Sequence, residues 1–294
     1  MDQLRRECPL NSDPPECDWQ FLYTSQGIYK GISIYECKTC GLQSQYPRQN
    51  QTNLYDADYY KGKAEYTYID ERETETFHRY VWNARLDNIQ KYISSGKLLD
   101  VGSSFGGFLK SAKEKGFAVQ GVEISSYASK HANENEIPTF QGSLLDAHFP
   151  DASFDVITLV EVIEHLENPK IIFSELGRIL KPGGLLLLQT ANFEGWQAKE
   201  EREKYHYYMP GHVYYYSDSV LKKILTPLGF NRFICYFGVD FSLLSKLRKS
   251  RGNFKHWYDY RHWFRISYYH FKSKLSKAGF PLTSSYVLYA FKSR

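Results

Sequence analysis

The stretch that most constrains this chain is KLLDVGSSFGGF, residues 97–108. Leu98, Leu99 and Val101 make a short β-prone run, a Gly-Ser turn follows, and Phe108 and Leu109 open a helical pattern. Glycine in such a turn takes positive φ and brings the backbone close to a ligand, while the N–H groups at the helix start face whatever sits there. A nucleotide site is therefore expected. Asp100 closes the strand inside the turn, whereas a dinucleotide fold keeps its acid about 20 residues further on. That placement favours a cationic or hydroxyl-bearing ligand over a pyrophosphate.

Beyond the turn, strand and helix patterns alternate. A helix over Phe108 to Lys115 stops at Gly116, and Ala118 to Ile124 reads as a strand that ends on Glu123. This acid stands about 20 residues past the turn, where a carboxylate can accept both hydroxyls of a ribose. A helix carrying Tyr127, Ala128, His131 and Ala132 precedes a short strand near Thr139 to Gln141, after which Gly142, Ser143 and Leu144 pair a small polar group with an apolar one. Such a pair suits the edge and face of adenine. Phe154 to Val160 is the near-continuous apolar run of a parallel strand covered on both faces, and it delivers Glu161 to the sheet edge.

The helix from about Asn168 to Leu180 has Pro169 in its first turn and Lys181-Pro182-Gly183-Gly184 as a stop signal, and Leu185 to Gln189 follows as a strand. Asp218 to Leu225 is helical, while Arg232 to Phe237 and Ser285 to Lys292 are strands. Upstream, Phe77, Tyr80, Val81, Ala84, Leu86, Ile89 and Tyr92 recur at three and four, which predicts an amphipathic helix entering the opening strand. The whole predicts an α/β fold: a Rossmann-like, doubly wound, mostly parallel seven-stranded sheet with helices on both faces and a ligand across its carboxyl edge.

The first sixty residues read differently. Short alternating runs at Gln20 to Tyr23 and Ile28 to Tyr35 predict small hairpins, and Cys37-Lys38-Thr39-Cys40-Gly41 has the form of a knuckle that offers two thiolates to one zinc. Cys8 and Cys17 would complete four ligands, although they stand nine apart and Asn11 occupies the place of a second knuckle's cysteine. Unliganded thiols in a β-rich cap are the alternative. An odd five cysteines, an N-terminus without an apolar leader and no run of 18 apolar residues predict a cytoplasmic protein with reduced thiols. Cys235, in an apolar strand, reads as a core residue.

At this point a resemblance emerges. LLDVGSSFGGFL, VQGVEIS, DASFDVITLVEVIEHLENP and LKPGGLLLLQT stand in the order and spacing of class I S-adenosylmethionine-dependent methyltransferases, which the chain resembles over about residues 77–237. The cysteine segment and GHVYYYS resemble a subgroup with an N-terminal zinc-ribbon-like segment, associated with sugar, glycan and lipid precursors. The resemblance implies S-adenosyl-L-methionine as cofactor. Asp100 would help hold its methionyl ammonium end, and Gly102 and Gly106 would give backbone room. Glu123 would bind the ribose with Ile124 beside it, Ser143 and Leu144 would take the adenine, and Glu161 would lie beneath the methionyl end. Ser104 replaces the family's middle glycine, and Ser143 stands where an Asp is commoner.

Methyl transfer from a sulfonium needs alignment above all, and a base only where the acceptor must lose a proton. His212 is the first candidate base, His165 the second, and His206 flanks the same Tyr207 to Gly211 loop; alternatively each hydrogen-bonds its own loop. Between Phe241 and Phe280 the chain has ten Lys/Arg and one acid, Asp259, so the remainder, with 27 basic and 32 acidic residues, is mildly negative. Trp257, Tyr260, Phe264, Tyr268, Phe271 and Leu275 run through this segment at helical spacing. A basic amphipathic helix over 246–277 suits an anionic membrane surface, a phosphorylated or nucleotide-linked sugar, or packing on the protein itself. Nucleic acid is disfavoured, because the rest of the chain is slightly negative and no recognition motif is present.

The expected organisation is a cap over 1–60, a cofactor-binding core over 61–238, the basic aromatic insertion over 239–283 and a final core strand over 284–294. The expected activity is O-methylation of a sugar, glycan or lipid-linked acceptor, at the inner face of the membrane if the basic helix docks there. The alternative is a non-catalytic protein that keeps the nucleoside pocket and binds partners.

Overall fold

The computed structural model describes residues 18–46, 70–276 and 280–294. Cys8, Cys17 and Lys277, the last basic residue of the insertion, lie outside the described residues. The N-terminal segment folds as β1 (Trp19–Gln26), β2 (Lys30–Cys37) and β3 (Gln43–Tyr46). The alternation then runs α1 (Glu75–Gln90), β4 (Gly96–Val101), α2 (Gly107–Glu114), β5 (Phe117–Glu123), α3 (Ser126–Glu134), β6 (Thr139–Gln141), β7 (Phe154–Val160), α4 (Pro169–Ile179) and β8 (Leu180–Ala191). It ends with α5 (Trp196–Glu201), β9 (Tyr214–Tyr215), α6 (Asp218–Leu225), β10 (Phe230–Tyr236), α7 (Leu243–Ser250), α8 (His262–Leu275) and β11 (Ser285–Lys292).

Seven strands form the central sheet in the order β10-β11-β8-β7-β4-β5-β6. The strands from β8 to β6 are parallel, and β11 runs antiparallel between β10 and β8. Side chains alternate across the sheet, so each strand supplies two cores. Leu98, Val156, Leu185 and Leu187 pack with Leu86 and Ile89 of α1 and Leu109 and Ala112 of α2. Leu99, Ile157, Leu159, Leu186 and Leu188 pack on the other face with Phe173 and Leu176 of α4 and Leu221 and Leu225 of α6. Burial on both faces explains the unbroken apolar runs of β7 and β8. Serine hydroxyls at Ser125 and Ser217 accept the N–H groups of Ala128 and Val220 and so fix the starts of α3 and α6.

Three features depart from the sequence expectation. β8 starts at Leu180 instead of Leu185, because Leu180 already pairs with Phe154 and Gly183, at φ 76°, absorbs the irregularity. The insertion holds two helices, not one. Helix α7 ends at Arg251-Gly252-Asn253, and Gly252 backs so closely on the Phe77 ring of α1 that an added Cβ would stand 2.7 Å from it. The carboxylate of Asp259 accepts N–H bonds from Lys255 and His256 and starts the turn that leads into α8. Lastly, the N-terminal strands are tied to the core. Their sheet has the order β1-β2-β3-β9, and β9 belongs to the GHVYYYS stretch.

That join positions a loop. Tyr208 donates its hydroxyl proton to Gln43 Oε1 at 2.9 Å and lies 2.7 Å from the Tyr23 hydroxyl, so β1 and β3 grip the segment between His206 and His212. A second anchor fixes the insertion. Arg85 of α1 makes a bidentate, buried ion pair with Asp240 just before α7, with Arg85 Nη2 and Nε at 2.8 and 3.0 Å from the two carboxylate oxygens. The Tyr289 hydroxyl of β11 also donates to Asp240, at 2.7 Å.

Candidate functional site

At the carboxyl ends of β4 and β5 the Gly-Ser turn is held by strain and one carboxylate. Gly102 has φ 75°, and an added Cβ would stand 2.5 Å from Val162 Cγ2. Ser104 adopts φ 50°, the left-handed region that favours glycine, although it carries a side chain. Its N–H donates to Glu123 Oε2 at 2.8 Å, and Ser125 N–H donates to Oε1 at 2.9 Å. Glu123, 4% exposed, therefore clamps the turn to the start of α3. A carboxylate oxygen can accept more than one hydrogen bond, the chemistry that a ligand hydroxyl calls on.

Glu161 ends β7 at φ 55°. Its N–H donates to Gln189 O at 2.9 Å, and the Gln189 side-chain amide donates to its Oε1 at 2.8 Å. Next to it, three residues form a buried group. His165 Nδ1 lies 2.9 Å from Gly211 O, and His212 Nδ1 lies 3.1 Å from Tyr207 O. A carbonyl only accepts, so each Nδ1 carries the proton and each Nε2 the lone pair of the neutral ring. Burial pushes the His165 pKa down to about 4, and burial with His165 as neighbour holds His212 well below the usual imidazole value. Both rings are therefore neutral at pH 7, and they pack edge to face with centroids 4.7 Å apart.

Glu164 completes the group. Burial, then the neighbouring Glu161, raises its carboxyl well above the ordinary range. Oε2 accepts from the Thr190 hydroxyl at 3.2 Å, while Oε1 is buried without a hydrogen-bond partner. An oxygen of Glu164 and one ring nitrogen from each histidine lie within 4.8 Å of one another. Such a set of acceptors can take up a proton or hold a divalent cation.

The Gly-Ser turn, Glu123, Glu161, His165 and His212 line one cleft of about 1390 Å³, and Glu164 is not part of its lining. Pockets for a single small ligand run from about 300 to 1,000 Å³, so the space suffices for a nucleoside cofactor and a second molecule. Of the sequence-derived candidates, Gly102, Ser104, Glu123, Ile124, Ser143, Leu144 and Glu161 line one end, with His165 and His212 beside them. Asp100 stands behind that wall, 6% exposed, and accepts from the Thr158 hydroxyl at 2.5 Å. Gly106, at φ 81°, starts α2 and faces a separate small cavity. The Ser143 hydroxyl donates to Asp146 at 2.6 Å. His206 is turned away, with Nδ1 3.0 Å from Glu201. Cys37 and Cys40 are far from the cleft, buried in a tight turn where Gly41, at φ 83°, donates to Cys37 O and Leu42 N–H lies 3.4 Å from Cys40 Sγ.

Sequence reasoning passed over Glu164, Gln189 and the Arg85–Asp240 pair. For Glu164 a signal existed: Glu161, Glu164 and His165 stand at i, i+3 and i+4 in the sequence just past a predicted strand end. Arg85 and Asp240 are 155 residues apart and carry no such signal.

Residues 74–232 match the family model described as a methyltransferase domain. Over 112 residues the chain is 37% identical to a 2-methyl-6-phytyl-1,4-hydroquinone methyltransferase of Synechocystis, which covers 36% of this chain and 34% of that protein. Over 105 residues it is 33% identical to a ubiquinone biosynthesis O-methyltransferase of Idiomarina loihiensis, covering 33% of this chain and 42% of the relative. The matches thus span well under half the length of these two relatives. Among solved structures, phosphoethanolamine N-methyltransferase 2 of Haemonchus contortus, in complex with S-adenosyl-L-methionine, is similar with a TM-score of 0.54 at 17% identity, over 97% of this chain and 70% of that one. This last likeness is one of fold.

Proposed function

Because the chain belongs to this methyltransferase-domain family, we propose that it transfers the methyl group of S-adenosylmethionine to a hydroxyl held in the cleft. The observation that carries the reading is the convergence of the ends of β4, β5 and β7 on one wall, with two neutral histidines beside it. Glu123 accepts the ribose hydroxyls, Ser143 and Leu144 flank the adenine, and Gly102 with Ser104 lets the backbone meet the methionyl part. Glu161 lies under the sulfonium end. Asp100 supports the turn from behind.

S-adenosylmethionine held there would supply an activated methyl group, and its transfer would join the methyl carbon to the acceptor oxygen as the carbon–sulfur bond breaks with its electron pair left on sulfur. The hydroxyl proton passes to Nε2 of His212, whose Nδ1–H is held by Tyr207 O. His165 orients that ring and keeps it neutral. Replacing His212 by Ala is expected to lower turnover about 100-fold or more, with S-adenosylhomocysteine affinity, measured by calorimetry, changed less than twofold. Unchanged turnover would remove His212 from the chemistry.

The acceptor in this reading is a sugar, glycan or lipid-linked hydroxyl. Its support is the exposed aromatic face of α8 and the turn before it, where Trp257 is 84% and Phe264 82% exposed among lysines and arginines. No helix among the described residues is long and apolar enough to cross a membrane, so an association with an anionic inner membrane face would be peripheral. Cys37 and Cys40, joined by Cys8 and Cys17, would hold a structural zinc.

A further inference from the structure

The cofactor-like end of the cleft accounts for less than half of its lining. A further part of the lining comes from the two insertion helices. Lys246 and Lys249, one turn apart on α7, and Arg265 and Lys272, two turns apart on α8, all line the cleft. Between the two α8 cations the same helix face brings Ile266 and Tyr269 to the cleft, as spacings of three and four require. The insertion brings cations to a cavity in a chain whose remainder is mildly negative.

Lys246, Arg265 and Lys272 form no ion pair with any described residue. The two acids of the insertion are engaged elsewhere: Asp240 holds Arg85 and the Tyr289 hydroxyl, and Asp259 caps the turn at His256. The acids lining the cleft are Glu123 and Glu161 at the cofactor-like end and Glu200 and Glu201 on and beside α5, of which Glu201 already pairs with His206. Lys246 also lies near the Arg85 guanidinium, and burial followed by that neighbour holds its ammonium below the usual value. A partly desolvated cation facing further cations is destabilised until an anion enters.

We propose that Lys246, Arg265 and Lys272, with Lys249 beside them, form an anion subsite that takes the phosphate or diphosphate of the methyl acceptor. A phosphate oxygen accepts several charge-assisted hydrogen bonds at once, and the arginine can engage two. The bordering side chains Phe241, Ile266, Tyr268 and Tyr269 offer apolar contact to whatever the phosphate is attached to. This subsite lies on the insertion and not on the fold's common frame, so it sets acceptor choice and leaves the cofactor end untouched. The inference rests on the methyl-transfer reading for the word acceptor, but its test does not.

The full chain is titrated calorimetrically with pyrophosphate, with geranyl diphosphate and with UDP-glucose, each with and without S-adenosylhomocysteine. Pyrophosphate is expected to bind, and the Lys246→Gln/Arg265→Gln double variant is expected to bind it at least tenfold more weakly while keeping wild-type S-adenosylhomocysteine affinity and wild-type circular dichroism. Tighter binding of geranyl diphosphate than of UDP-glucose assigns the phosphate to a lipid carrier, and the reverse order to a nucleotide sugar. Absence of pyrophosphate binding, or equal binding by the double variant, overturns the subsite. Loss of S-adenosylhomocysteine binding in the wild type would instead sink the methyl-transfer reading and leave the anion result standing.

Discussion

His165 and His212 are where the residue-level physics is sharpest. His212 is buried and His165 half-buried, each ring donates Nδ1–H to a backbone carbonyl, and His165 is held down to about pH 4 by burial. A histidine whose folded pKa lies below its unfolded value near 6.5 binds fewer protons when folded, so its contribution to stability is complete above about pH 6.5 and is lost as pH falls towards 4. The partial exposure of the ring brings the effect to on the order of 2 kcal/mol. Urea denaturation followed from pH 7.5 to 4.5 should show His165→Gln losing less stability across that window than the wild type. Parallel curves would mean that the ring titrates normally. Glu123 was legible in the sequence because strand-end spacing alone places it beside the turn. The low proton affinity of the histidines was not, since it comes from burial by a loop some 46 residues away.

Elements fared unevenly for physical reasons. The strands from β4 to β8 were readable because burial on both faces leaves continuous apolar runs. The insertion was misread as one helix because its basic residues, Lys246, Arg248, Lys249 and Arg251, run on towards the aromatic series that starts at Trp257, whereas close packing of Gly252 on Phe77 marks a break between two helices. The N-terminal strands could be read as hairpins, but their pairing with β9 could not, because a two-residue strand leaves no periodic trace. Elemental analysis of the full chain is expected to give one zinc, and its removal by a strong chelator should lower the melting temperature by several degrees, since structural zinc carries folding energy. A metal-free preparation with the same melting temperature would exclude that role for Cys37 and Cys40. Through Tyr208 and Gln43, loosening of these strands would also reach the loop that carries His212.

On the scale of the whole molecule, the carboxyl ends of the central strands bring Glu123 and Glu161 to the cleft, α5 brings Glu200 and Glu201, and the insertion brings Lys246, Lys249, Arg265 and Lys272. The outward face of α8 adds Phe264, Phe271 and Leu275, all more than half exposed. Aromatic side chains beside basic ones are the composition of an interfacial helix. Co-sedimentation of the full chain with vesicles containing 30 mol% phosphatidylglycerol should therefore capture the wild type at low salt. Phe264→Ser/Phe271→Ser should weaken capture severalfold, and absence of salt-sensitive capture would remove the membrane reading. The fold and the strand-end part of the cleft lining were visible in the sequence because they repeat a local strand–turn–helix grammar. The insertion's part of the lining was visible only as composition, because its geometry depends on Arg85 reaching Asp240 across the chain.

That insertion has one further property. It begins after β10 and ends before β11, two adjacent antiparallel strands in which Tyr236 faces Val287, and the Thr283 hydroxyl donates to Phe237 O at 3.0 Å to close its neck. It is, in topological terms, an overgrown hairpin loop. The entropy of closing a loop grows only logarithmically, at about 0.6 kcal/mol for each doubling of length. Lineages of this fold can therefore lengthen, trim or exchange the segment while the sheet and its nucleoside end carry on unaltered. Under the proposed anion subsite, acceptor choice would be set at a single hairpin.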